Sequence, residues 1–289
     1  MGPLHRHPRY DLWLHDDVEL GELLGAPVAE RATVHEWMLS SVQRVRTADG
    51  RRYIYKVQAP PTLEPAFYAR ARSPLLVPAR SIPGQASTAV MVMEDVLGRP
   101  LSEAPPPEPE AVALAEHLLR GIAEIEGDLP AMTDIGTVDR WVARFELALA
   151  DIRAFVSDGT FHQVEPSLPD RLGRLAESPA VLDAIRSPCG YVHTDLMANN
   201  VLVTADGGHR ILDWQRPIRG PVALDAATLL ISLGIDATRH VPVGVVQLYH
   251  LLHIAWYTEC ARRWYPEGRP FYGGSLARID RELQGLPRP

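Results

Sequence analysis

A chain of 289 residues with 46% hydrophobic, 22% charged and 7% aromatic side chains has room for one large domain or two that share a cleft, and it is not a disordered, fibrous or coiled-coil protein. The formal charge of −7 disfavours a general nucleic-acid surface and suits a neutral or cationic small molecule. The most apolar stretch, VALDAATLLISLGI, is broken by Asp225, and the start, MGPLHRHPRYDLW, has no apolar signal-peptide core, so neither a membrane span nor export is expected and the cytoplasm is the default location.

The first hundred residues read as sheet. VQRVRT and RRYIYKV flank the turn ADG, the pattern of a β-hairpin, and Lys56 falls on its second strand. Of 29 basic residues, 28 are arginine and Lys56 is the lone lysine, a position where a compact ammonium is wanted instead of a planar fork. PPTLEPAFYARAR then predicts a short helix carrying Glu64, with Thr62 as N-cap and Pro65 in the first turn. TAVMVME predicts a strand ending at Glu94. The proline-rich SEAPPPEPE closes a hinge and linker over 96–110, separating a β-rich lobe (1–95) from a mainly helical one (111–289).

Helical periodicity begins after Glu110. Val112, Ala115, Leu118, Leu119, Ile122 and Ile125 share one face, as do Trp141, Val142, Phe145, Leu149, Ile152 and Phe155. YVHTDLMANNVLVT, the turn ADGG and HRILDW interrupt this pattern as a strand, a loop and a second hairpin. Helix resumes with LDAATLLISLGI and VVQLYHLLHIAWYTECARRWY. Cys189 and Cys260 are too few for a disulfide framework and read as two buried thiols. The histidines, His5 and His7 among them, form no recognisable metal set.

The segment His193-Thr-Asp195-Leu196-Met-Ala-Asn-Asn200 matches the kinase catalytic-loop pattern, and Asp213 follows across the hairpin. Such a loop can place one carboxylate at an acceptor hydroxyl and an amide oxygen on a metal, while the hairpin returns a second carboxylate to that metal. On these residues the sequence resembles the aminoglycoside phosphotransferase and choline kinase family. The resemblance implies an α+β, bilobal protein-kinase-like fold, with a small antiparallel sheet lobe and a larger helical lobe. It implies an ATP- and Mg²⁺-dependent O-phosphotransferase acting on a hydroxyl of a small metabolite or aminoglycoside-like natural product. Asp195 would take the hydroxyl proton, Asn200 and Asp213 would hold Mg²⁺, and Lys56 would pair with the α- and β-phosphates. Glu64 would hold Lys56, with Glu30 or Glu36 as alternatives.

The phosphate-covering hairpin, MLSSVQRV, has no glycine, and Ser41 stands as its candidate ligand beside Ser40. The backbone from Glu94 to Val96 falls where the family's hinge meets adenine. His193 reads as a brace of the loop and Asp225 as an N-cap or loop brace. Trp256, Tyr257 and Trp264 are candidates for an aromatic acceptor wall, and Glu259, Asp280 and Glu282 for carboxylates facing a cationic acceptor. Thr194 and Gly220-Pro221 depart from the glycine and the Gly-Asp usual in the antibiotic kinases. A nucleotide-binding pseudokinase with a regulatory role is the rival reading, kept open by the glycine-free hairpin.

Overall fold

The structure, a computed structural model, describes residues 4–84 and 88–287. In chain order the elements are β1 (His5–Arg6), β2 (Trp13–Leu14), α1 (Asp17–Leu24), β3 (Val28–Trp37), β4 (Ser40–Thr47), β5 (Arg52–Gln58), α2 (Glu64–Arg70), β6 (Ala79–Ile82), β7 (Ala89–Glu94) and β8 (Gly98–Pro100). There follow α3 (Glu108–Ala123), α4 (Val138–Ser157), α5 (Leu168–Ala176), α6 (Pro179–Arg186), β9 (Cys189–Val192), β10 (Val201–Thr204), β11 (His209–Ile211), β12 (Ile218–Pro221), α7 (Ala223–Ser232), α8 (Val243–Glu259) and α9 (Arg269–Gly285). Contacts divide the chain into two compact units that do not follow chain order.

The first unit comprises Met1–Glu103, Ile125–Pro130 and Asn199–Arg216. Its main sheet is antiparallel, in the order β3-β4-β5-β7-β6. The hairpin expected from the Asp-Gly turn is β4–β5, closed by Gly50 at φ 86°, a left-handed conformation that glycine adopts without strain. Side chains alternate across a strand, so Tyr55 and Val57 face one way and Lys56 the other. The Tyr55 face is sealed by Leu12, Leu14, Leu20 and Leu24, packed with Val45, Val90 and Val92. Helix α2 carries Glu64 as predicted, with Pro65 in its first turn. The N-cap position, however, is Leu63, and Thr62 Oγ1 accepts from Glu64 N at 3.2 Å from one residue further back.

The second unit comprises Ala104–Glu124, Ala131–Ala198 and Pro217–Pro289 and is mainly helical. The predicted periodicities are its buried faces: Ala115, Leu118 and Ile122 on α3, and Trp141, Phe145, Leu149, Ile152 and Phe155 on α4. Part of the expected linker is ordered. Strand β8 lies within it, and α3 already starts at Glu108, because Pro109 sits in the first turn where a missing N–H loses no bond. Of the two cysteines, only Cys260 is buried. Cys189 is exposed at the start of β9, which corrects the sequence expectation: a strand end leaves the outward side chain uncovered.

Helix α8 approaches α6 closely at its start. A Cβ on Gly244 would lie 1.9 Å from the Ala180 carbonyl oxygen, so only glycine fits there. The largest fully buried side chain among the described residues of this unit is Trp141, stacked on Phe145 with ring centroids 5.1 Å apart and donating its Nε1–H to the Ala176 carbonyl at 2.9 Å. Trp141→Ala is expected to lower stability by about 3–5 kcal/mol, and Trp141→Phe by about 1–3 kcal/mol through the carbonyl left without a donor. Urea unfolding of the three proteins checks both magnitudes and their order.

Candidate active site

Lys56 projects from the middle of β5 on the face opposite Tyr55. Its Nζ donates to Glu64 Oε2 at 2.6 Å and to Asp213 Oδ1 at 2.5 Å. The side chains of Lys56 and Glu64 are 7% and 0% exposed, so this is a nearly dry ion cluster and not a surface salt bridge. Burial alone would push the Lys56 ammonium down, but Asp213 and Glu64 outweigh it and hold the amine protonated. Burial pushes the Glu64 carboxyl up, against the pull of Lys56. Its Oε1 has no hydrogen-bond partner. Glu30 and Glu36 are occupied elsewhere, with Arg46 and with His7 and Arg9, which leaves Glu64 as the partner of Lys56.

Two further contacts fix the carboxylates relative to each other. Leu63 N donates to Gln215 O at 2.8 Å, and Phe67 stacks on Trp214 with centroids 4.3 Å apart, both rings fully buried. Helix α2 and the Asp213 turn are thereby clamped as one piece. Asp213 itself sits at φ 67°, a left-handed conformation unusual for a non-glycine residue, held by Lys56 and by Gln215 Nε2. The sequence reading missed the clamp. Its only trace was an aromatic residue following each of the two acids, next to Asp213 and three residues beyond Glu64.

Asn200 and Asp213 stand at the same open end of the β10–β11 hairpin, joined through Leu212 N to Asn200 O at 2.8 Å. This end therefore carries an amide and a carboxylate, both hard oxygen donors. Among the described residues no group of three or more His, Cys, Asp or Glu forms a metal site by itself.

Ser41 is not brought to this group. It pairs with Val57, so the strand alternation turns its side chain to the face opposite Lys56, where its hydroxyl is buried without a partner. Ser40, paired with Gln58, shares the Lys56 face. At the end of β7, the amides of Glu94 and Asp95 donate to Pro78 O and Arg52 O, while Val96 N donates to Glu94 O at 3.0 Å in a tight local turn. Arg52 and Arg44 hold the Asp95 carboxylate beside it.

In the second unit, Asp225 organises the loop that bears Asp195. Its carboxylate accepts from His193 N at 2.7 Å and Thr194 N at 2.9 Å. His193 Nδ1 accepts from Asp195 N at 3.1 Å, and Ser232 Oγ accepts from Ala198 N at 2.9 Å. His193 is thus a brace of the loop. Asp225 is one too, acting from inside the first turn of α7 and not as its N-cap. Thr194 lies at φ 69°. A β-branched residue there is strained by about 1–3 kcal/mol, which gives a physical reason for the glycine of the antibiotic kinases at this place.

The carboxylates expected to face a cationic acceptor are already paired: Glu259 with Arg144 and Trp264 Nε1, Asp280 with Arg171, Glu282 with Arg278. Arginine outnumbers every other cation in this sequence and takes them in bonds within the unit.

Burial pushes the Asp225 carboxyl up to about 7, opposed by its two amide donors and reinforced by Asp195. The folded chain therefore keeps a proton that the unfolded chain has lost, and the contribution of this group to stability falls as pH rises from about 4 to about 7. Asp225→Asn is expected to flatten that slope and to lower stability near pH 5 by about 1–3 kcal/mol, since the amide presents an NH₂ to one of the two N–H groups. Thermal unfolding of both proteins across pH 4 to 8 checks it; parallel profiles would rule Asp225 out as the source.

No curated protein matches the sequence. The family model described as a phosphotransferase enzyme family matches residues 31–264. Among solved structures, a thermostable mutant of an aminoglycoside phosphotransferase in ternary complex with AMP-PNP and hygromycin B aligns at a TM-score of 0.61 and 14% identity, covering 93% of this chain and 99% of that one. A choline kinase from Streptococcus pneumoniae aligns at 0.57 and 14%, covering 93% and 98%. A choline/ethanolamine kinase family protein from Mesorhizobium loti aligns at 0.57 and 16%, covering 91% and 89%. The chain has the α+β protein-kinase-like fold of these structures and belongs to the phosphotransferase enzyme family, enzymes that transfer phosphoryl groups to an alcohol acceptor.

Proposed function

We propose that this chain is an ATP- and Mg²⁺-dependent kinase of a small hydroxylated molecule, working in the cytoplasm. The observation that carries the reading is the Lys56–Glu64–Asp213 cluster, in which one buried ammonium is shared by two carboxylates from separate segments. A structural core has no need of three charges, whereas a phosphate site needs a cation held in place before the substrate arrives. The neighbouring structures support the nucleotide, since they hold AMP-PNP or ADP alongside hygromycin B or spectinomycin. No helix among the described residues is long and apolar enough to cross a membrane, which is compatible with the proposed location.

Lys56 would receive the α- and β-phosphates, steadied by Glu64, with the Ser40 hydroxyl on the same sheet face. Adenine would donate to Glu94 O and accept from Val96 N, groups that bond to each other here at 3.0 Å. Asn200 and Asp213 suit Mg²⁺, because that ion binds through one or two protein oxygens and completes its shell with phosphate and water. When bound it would neutralise charge on the transferring group. Asp195 would accept the acceptor's hydroxyl proton as the new oxygen–phosphorus bond forms and the bond to the bridging oxygen of ADP breaks. Asp225 would steady the loop for that step through the amides of His193 and Thr194 just before Asp195.

Asp195→Ala is expected to keep the thermal shift produced by Mg·ATP and to cut turnover by about 10²–10⁴-fold. Lys56→Met is expected to lose both, because the phosphates lose their cation and Glu64 and Asp213 are left facing each other. ADP release and thermal shift, measured side by side on a panel of hydroxylated metabolites and antibiotics with mass spectrometry of products, check the two variants. Unchanged turnover in Asp195→Ala would remove the base from this mechanism.

A further inference from the structure

Beside the Lys56 cluster, two neighbouring buried side chains each carry an unmatched polar atom, and the two are complementary. Gln58 closes β5 two residues beyond Lys56, so strand alternation puts both side chains on one face of the sheet. Gln58 is 1% exposed, and its Nε2, which can only donate, has no hydrogen-bond partner among the described residues. Glu64, 0% exposed, has the same deficit at Oε1, which as a carboxylate oxygen can only accept. Unmatched atoms of this kind oppose burial and are rare in folded proteins.

Thr62 ties the two residues together. Its Oγ1 accepts from Glu64 N at 3.2 Å and donates its one proton to Gln58 Oε1, also at 3.2 Å. This bond assigns the ends of the Gln58 amide. Turned over, the amide would bring its oxygen toward the Glu64 carboxylate, acceptor against acceptor; as it stands, the NH₂ is the free end. Burial, then the Asp213 charge, push the Glu64 carboxyl up, while Lys56 and hydrogen bonding from Gln58 pull it down. Tyr68, one turn further along α2, has a buried hydroxyl that is also without a partner. Burial, then the charges of Glu64 and Asp213, push its phenol up, and no hydrogen bond joins it to either acid.

Two carboxylates claim Lys56, and in the mechanism proposed above Asp213 has a second duty. Glu64 has none, and it holds the ammonium only while it stays ionised and in one orientation. Resting on the kinase reading, we infer that Gln58 is a positioning residue for the phosphate-binding lysine: anchored by Thr62, its amide donates to Glu64 Oε1 and keeps the other carboxylate oxygen turned to Lys56. Gln58 acts through Glu64 and takes no part in the transfer.

Lys56 is the only lysine in the sequence, so protein labelled with ¹⁵N-lysine gives a single side-chain ammonium signal. Its proton exchange with water reports on the cluster without any nucleotide. Gln58→Leu, which removes the amide, and Thr62→Val, which keeps the shape but not the hydroxyl, are each expected to speed that exchange about tenfold and to raise the Kd for Mg·ATP about five- to tenfold. Thr62→Ser, which restores the hydroxyl, and Tyr68→Phe are expected to stay within about twofold of the parent in both measurements. Should Gln58→Leu fail to fold, the Thr62→Val and Thr62→Ser pair carries the same test. Unchanged ammonium exchange in Gln58→Leu and Thr62→Val overturns the inference, and so does Tyr68→Phe reproducing their effect. A parent protein that binds no Mg·ATP would sink the kinase reading, while the ammonium signal would still decide the role of Gln58.

Discussion

A single buried ammonium, Lys56, neutralises two carboxylates that arrive from separate segments, one of them, Glu64, fully buried. A buried cluster of this kind is stable only while all its members are present and correctly oriented, because any unpaired charge left behind is expensive. The sheet supplies orientation by putting Lys56 on the face opposite the Tyr55 cluster. The Phe67–Trp214 stack supplies registration by fixing α2 against the Asp213 turn. Apolar packing thus decides the geometry of a polar site.

The helical unit solves a different problem with the opposite tool. The loop bearing Asp195 runs between strands β9 and β10 outside any ladder, and it includes a threonine in a left-handed conformation. Buried polar groups hold it instead: Asp225 from α7 takes two consecutive amides, His193 takes a third and Ser232 a fourth. Each satisfies a backbone N–H that would otherwise oppose burial. Strain at Thr194 persists because these bonds over-determine the loop.

Much of this was legible in the residues. The lone lysine, the acid eight positions on, the His-Thr-Asp-Leu loop and the aspartate after the second hairpin all lie on local segments whose turns and periodicities are short-range signals. Ser41 was misplaced because motif spacing does not say which face of a strand a residue takes; pairing with Val57 decides that, and one step of register exchanges Ser40 for Ser41. The same limit hid the aromatic clamp, since Phe67 and Trp214 are distant in sequence. It also hid the fate of Glu259 and Asp280, whose arginine partners come from α4 and α5; Glu282 pairs locally, with Arg278 one turn back on its own helix.

By itself the sequence determined the kinds of chemistry present and their order along the chain: a cation on a strand, a carboxylate on the next helix, a catalytic-type loop and a returning aspartate. Those features are carried by adjacent residues, so composition and spacing suffice to read them. Only the tertiary structure decided which charges are shared, which are spoken for and which side chains meet. Ion pairing and burial depend on distances between segments far apart in the chain, and no local pattern encodes a distance.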